Sequence, residues 1–229
     1  SEKQIVKKIL KKLPEEAINL LYFFTQLPEN EMQQFVAKSA RKTSVSTRQD
    51  DVPNSIYNYS SSNAGKLHIE NAGLCIIATY FPALFGHLKY LEKGIFKNKA
   101  IATRALYLIQ YLTTGKSHSP EYLLQFNKLL CGFQLEEDIH ANVRLTKKEK
   151  MEADDLLQSV IENWSILKNT SLNGFRASFL QRRGILTESE ISWTLQVERK
   201  SYDMLLSSIT WGYGIIKLAW MKKHIQVEW

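Results

Sequence analysis

The chain has 229 residues, of which 44% are apolar and 11% aromatic, and a formal net charge of +7. This is the composition of a globular protein with one large domain or two small ones, able to bury roughly 70% of its unfolded surface. No run of about 18 uncharged apolar residues is present, which excludes a transmembrane helix; the nearest approach, Leu74 to Leu88, is interrupted by Pro82 and His87.

Basic residues gather near the N-terminus (Lys3, Lys7, Lys8, Lys11, Lys12), around Lys147, Lys148 and Lys150, and at Lys222 and Lys223. Each run is broken by Glu or apolar residues. They read first as solvated helix faces, next as a docking surface for an acidic partner, and last as a nucleic-acid contact. Cys75 and Cys131 lie in apolar runs without a second ligand at metal spacing, so two buried reduced thiols are expected. No signal-peptide pattern follows Ser1. The first residue is not Met, so a trimmed chain or a fragment is expected.

Residues 1–42 read as an N-terminal helical arm. Ile5, Val6, Ile9, Leu10 and Leu13 recur at helical spacing with lysines opposite, Pro14 opens a second, nearly all-apolar helix, and Pro28 a third. Residues 43–66 are rich in Ser, Thr, Asn and Asp with no apolar period, and read as a flexible linker that Tyr57 and Tyr59 could tether. A domain is expected over 67–229.

Glu70 to Leu91 reads as a helix pair or a kinked helix, with Asn71 as cap and Pro82 as the break. Helices are expected at Lys99–Leu112 and Pro120–Leu130, with Gly115 and Gly132 as stops. Gly115-Lys116-Ser117 is not a phosphate loop, because the glycine such a loop needs would fall at Gln110. Thr146-Lys-Lys-Glu149 is a capping box, and Leu156, Leu157, Val160, Ile161 and Trp164 line one face of the helix it opens. Ser171 caps the next helix, with Phe175, Phe179 and Leu180 on one side and Arg176 and Arg183 on another. After Gly184 the period changes. Trp193, Leu195 and Val197 alternate with polar residues as in a half-buried strand. The stretches from Ile215 to Trp220 and from His224 to Trp229 read as short strands, and Tyr202 to Ser207 as a helical turn. The fold class is mainly α, of the α+β kind: a helical domain with a small C-terminal antiparallel sheet, preceded by the arm.

No catalytic or metal constellation stands out. His68, His87, His118, His140 and His224 are scattered without a ligand pattern. Asp154-Asp155 and Glu136-Glu137-Asp138 read as solvated helix face and acidic loop, and no nucleophile elbow or Cys–His pair is present. Gly212-Tyr213-Gly214 is a flexible turn outside any nucleotide-binding context. All five tryptophans, Trp164, Trp193, Trp211, Trp220 and Trp229, lie beyond residue 163. That places the packed, recognition-rich part in the last third of the chain.

Six blocks in order carry a family resemblance: NAGLCIIATYFPALF from Asn71, RALYLIQYLTTG from Arg104, FNKLLCGF from Phe126, the block from Trp164 to Arg182, LQVE from Leu195, and KLAWMKKHIQVEW from Lys217. Over roughly Leu67 to Trp229 the chain resembles the C-terminal region of the tape measure proteins of contractile injection systems, the phage-tail-like particles of bacteria. The N-terminal helices fall outside the resemblance. It implies a non-enzymatic assembly protein without cofactor or metal. The implied partners are the inner tube, the baseplate hub and spike, or tube-cap proteins, in a homo-oligomer on the particle axis. Nucleic acid and a membrane span are not implied. The implied location is the bacterial cytoplasm during assembly and then the particle, with extracellular release. The chain departs from a ruler in having no long unbroken helix: Pro14, Pro28, Pro53, Pro82 and Pro120 interrupt its first half. Either a ruler stretch precedes Ser1 or this is a short relative that caps or anchors. Aromatic and Arg anchors are frequent in interfaces, so the expected partner contacts are Trp164, Asn169, Arg176, Arg182, Lys217, Trp220, Met221 and Trp229. The alternative is an effector or toxin carried in the tube lumen, which would need an active site.

Overall fold

The computed structural model describes residues 65–117, 119–139 and 143–229. The helices expected over 1–42, the linker up to residue 64 with Tyr57 and Tyr59, the lysines of the arm, His118 and His140 lie outside the described residues.

The first described element is a strand, β1 (Lys66–Ile69), one residue ahead of the expected domain start. Helix α1 (Leu74–Ile77), a 3-10 turn at Ala78–Tyr80 and α2 (Phe81–His87) follow. Pro82 stands in the first turn of α2, where its missing N–H leaves no bond unmade. The expected break at this proline is therefore a helix start. Asn71 is not a cap; its side chain turns inward. The chain leaves α2 into a hairpin, β2 (Leu91–Glu92) and β3 (Ile95–Phe96), that has no alternating pattern long enough to read from sequence.

Helix α3 (Lys99–Thr114) runs through the centre of the helical layer and ends at Gly115 in the left-handed conformation. Leu106, Leu108, Ile109 and Leu112 are fully buried, each stabilising the fold by about 2 kcal/mol. Helix α3 packs against α4 (Gln125–Leu130), α5 (Lys147–Asn163) and the segment after α6 (Leu172–Phe175). The capping box at the start of α5 is made as expected, with Thr146 Oγ accepting from Glu149 N–H at 3.2 Å and Glu149 Oε2 from Thr146 N–H at 2.5 Å. Ser171 caps α6, which widens into a π-helical turn at Arg176–Leu180.

The sheet follows the order β1-β4-β5-β7-β6, with β4 (Gly184–Glu188), β5 (Ser192–Val197), β6 (Ile215–Ile216) and β7 (His224–Glu228). The α+β class holds, but the sheet is mixed and not wholly antiparallel. Strands β5 and β7 run parallel, pairing Trp193 with Ile225 and Leu195 with Val227, because residues 198–223 cross over between them. That crossover contains the 3-10 turn Asp203–Ser208, close to the helical turn expected there, and β6, which is shorter than the Ile215–Trp220 strand expected. Leu186, Trp193, Leu195, Val197 and Ile225 face the core. His68, Thr187, Gln196 and Gln226 lie on the open face.

Two glycines let the layers meet. A Cβ on Gly73 would lie 1.7 Å from the Phe179 carbonyl oxygen, so only hydrogen fits where α1 crosses the π turn. Gly132 combines φ +81° with a Cβ position 2.6 Å from the Trp220 carbonyl oxygen.

Candidate functional site

The expected contact residues divide by burial. Trp164 is fully buried at the end of α5; its indole N–H donates to Ser208 Oγ at 2.7 Å and its ring centroid lies 4.8 Å from that of Phe179. Arg176 is buried. It donates to Asp154 Oδ1 at 2.6 Å and to the Leu112 carbonyl at 3.0 Å, with its guanidinium 5.4 Å from the Tyr111 ring. Arg182, 1% exposed, donates to Asp203 Oδ1 at 2.6 Å and to the Ser178 carbonyl at 2.7 Å, beside the rings of Tyr202 and Trp229. Met221 is buried as well. These four side chains fasten the unit from inside. The aromatic and guanidinium chemistry that anchors interfaces serves equally well between elements of one chain.

Trp220 and Trp229 are half-buried. Trp220 donates to the Leu130 carbonyl at 2.8 Å and stacks obliquely on Phe96 at 4.7 Å; Trp229 donates to Asp203 Oδ2 at 2.8 Å. Trp211 likewise donates to the Ile76 carbonyl at 2.8 Å. Asn169 and Lys217 are exposed. Lys217 Nζ donates to the carbonyls of Met221 at 2.8 Å and Lys222 at 2.9 Å, which closes the 217–222 loop on itself.

That loop forms one wall of a cleft. The other walls are the turn after α4 and the β4–β5 hairpin, so that Leu129, Phe133, Trp193 and Met221 meet Glu136 and Lys222 at its rim. Lys223 bridges the walls, donating to Glu188 Oε1 at 2.9 Å and to the Ser189 carbonyl at 2.6 Å. Nearby, Glu137 accepts from Gln134 N–H at 2.8 Å and from Lys99 Nζ at 2.6 Å. The Gln134 bond first, and then Lys99, holds the Glu137 carboxyl below the ordinary carboxylate range. The cleft therefore offers an apolar floor and a rim of both charges, suited to a side chain or short loop of another protein.

Both thiols are withdrawn from solvent. Burial pushes both Cys75 and Cys131 well above the ordinary thiol range, so each is a neutral thiol. Among the described residues no group of three or more His, Cys, Asp or Glu is placed to hold a metal ion. No helix among them is long and apolar enough to cross a membrane.

Several residues organise this interior in roles that the sequence did not assign to them. Asp154 reads as a solvated helix residue and instead pairs with Arg176. Asp203 collects Arg182, Trp229 and the Lys200 N–H at 2.7 Å. Asn71 Nδ2 donates to Asn127 Oδ1 at 2.6 Å, and Asn127 Nδ2 to Gln110 Oε1 at 3.0 Å, forming a buried amide chain between the turn before α1, α4 and α3. No local signal marks these residues, since the partners stand far apart in sequence.

The described residues thus form an α+β unit that buries Arg176, Arg182 and Trp164 as internal fasteners and carries a mixed-charge cleft. The family model of contractile injection system tape measure proteins matches residues 1–229, the whole chain, and the protein belongs to that family. The match takes in the first 66 residues, which the sequence blocks left outside. No curated protein and no solved structure matches the chain.

Proposed function

We propose that this tape measure family member is a non-enzymatic assembly component that sits with the inner tube at its end, against the baseplate hub and spike or the tube cap. It assembles in the bacterial cytoplasm, as a homo-oligomer on the particle axis, and leaves the cell as part of the particle. The family match over the whole chain carries this reading. The longest helix described, α5, has 17 residues and spans only about 25 Å at 1.5 Å per residue. Residues 65–229 therefore act as the anchoring or capping part, and not as an extended ruler. The rim of the cleft is one surface offered to the neighbours in the tube; Asn169, Lys217, Trp220 and Trp229, which do not line it, stay as further candidate contacts because each is at least partly exposed.

Purified sheathed particles test this. Mass spectrometry is expected to find the chain in intact particles, and gene deletion to change particle length or yield. Particles that lack the chain, or that keep normal length and yield without it, overturn the reading. Cell killing by the isolated chain would instead point to cargo carried in the lumen.

A further inference from the structure

Residues 89–97 form a hairpin with a fastened base and a free tip. Leu91 pairs with Phe96, and Lys97 N–H donates to the Tyr90 carbonyl at 3.1 Å. At the base the buried Tyr90 hydroxyl donates to Glu149, and the Phe96 ring lies 5.3 Å from Phe85 and 4.7 Å from Trp220. At the tip a Cβ on Gly94 would meet nothing within 4 Å, and Ile95 is 54% exposed. Lys89, Lys93 and Lys97 are exposed, and their side-chain ammonium groups make no hydrogen bond or ion pair among the described residues. With Glu92 the hairpin carries three positive charges against one negative.

The backbone adds an independent observation. Among the described residues, the non-glycine positions with positive φ are Lys89 (58°) and Lys93 (49°), both in this hairpin. Lys89 ends α2, where its N–H donates to the Gly86 carbonyl at 2.9 Å and that of Tyr90 to the Phe85 carbonyl at 2.8 Å; glycine is the usual residue at such a stop. Lys93 precedes Gly94 (φ 83°) in a two-residue turn whose first position favours Asn, Asp or Gly. Lysine is conformationally poor at both places, so the hairpin carries backbone strain at two positions whose side-chain charges are unpaired among the described residues.

We propose that the 89–97 hairpin is a docking element for an acidic protein surface, with Lys89, Lys93 and Lys97 pairing carboxylates around the apolar contact of Ile95. The exposed isoleucine among the charges favours a protein surface over nucleic acid, because it offers an apolar contact at the centre of the charged patch. This proposal rests on the assembly role above, because the Phe96–Trp220 contact sets the hairpin beside the 217–222 loop.

Two measurements on intact particles test it. Carbodiimide cross-linking, which joins a lysine amine to a carboxylate in direct contact, is expected to link Lys89, Lys93 or Lys97 to Asp or Glu of another protein chain. A strain carrying the triple variant Lys89→Glu, Lys93→Glu and Lys97→Glu is expected to incorporate roughly tenfold less chain per particle, while the purified variant keeps the wild-type circular dichroism. Separately, Lys89→Gly and Lys93→Gly are each expected to raise Tm by about 2 °C and to lower incorporation. Wild-type incorporation of the folded triple variant, or absence of cross-links to another chain, overturns the docking role while leaving the assembly role standing. Loss of binding to a 30-base-pair DNA duplex in the triple variant, with incorporation unchanged, overturns it in favour of nucleic acid. Absence of the wild-type chain from particles defeats the assembly role itself.

Discussion

Asp203 shows how one carboxylate can hold a C-terminal segment in place. It faces the Arg182 guanidinium, the Trp229 indole N–H and the Lys200 backbone N–H, and its side chain is 14% exposed. Removing its charge leaves a guanidinium that is 1% exposed with only carbonyl partners. Asp203→Asn should therefore destabilise the protein by about 3 kcal/mol, measured as a lower urea midpoint with an unchanged m-value. Gly73 sets a steric limit of a different kind. The Phe179 carbonyl that a Cβ would strike is backbone and cannot rotate away. Gly73→Ala should cost about 3 kcal/mol or prevent folding, whereas Gly86→Ala, where a Cβ meets nothing within 4 Å, should fold normally. Thermal melts of the two variants give the comparison. The buried thiols should stay unreactive toward a thiol reagent in the native state and react fully in denaturant.

At the scale of elements, the start of α5 joins local and tertiary bonding. Glu149 belongs to the capping box, and it also accepts from Arg104 Nε at 2.8 Å and Nη2 at 2.6 Å and from the Tyr90 hydroxyl. Burial pushes the Glu149 carboxyl up, but the bonds from Arg104, Tyr90 and Thr146 together outweigh it and hold it at about 2, below its ordinary 4.5. A depressed folded-state value means that the ionised form stabilises the fold above pH 4.5, and that this contribution is lost as pH falls toward about 2. The urea midpoint should therefore drop between pH 5 and pH 2.5, and Glu149→Gln should flatten that dependence while lowering the midpoint at pH 7. Thr146→Ala removes only the cap and should cost about 1 kcal/mol.

For the whole molecule, the decisive feature is that β7 lies inside the sheet, between β5 and β6. Deleting residues 224–229 would strip Trp193 and Leu195 of their partners Ile225 and Val227, and Arg182 of the Trp229 ring. The expected result is a broadened, non-cooperative melt with loss of the near-ultraviolet tryptophan signal. A cooperative melt after the deletion would show that the sheet holds without its inner strand. A rigid unit of this kind suits the proposed anchoring role, because the proposed docking hairpin and the cleft keep their spacing only if the layers behind them do not shift.

Helices α3 and α5, the Thr146 and Ser171 caps, and the alternation of β5 and β7 were legible in the sequence, because each is set by residues within one or two turns of each other. The family resemblance was legible for the same reason, in short blocks kept in order. The strands β1 and β4, the β2–β3 hairpin and the parallel β5–β7 pairing were not: short strands carry little pattern, and their partners lie up to about 120 residues away. Tertiary structure alone decided that Arg176 and Arg182 point inward. An arginine on an amphipathic segment goes to solvent or to the core according to whether a carboxylate waits there, and Asp154 and Asp203 stand 22 and 21 residues from their partners. Composition and periodicity record which residues can fasten or dock, and only the folded chain determines which of the two each one does.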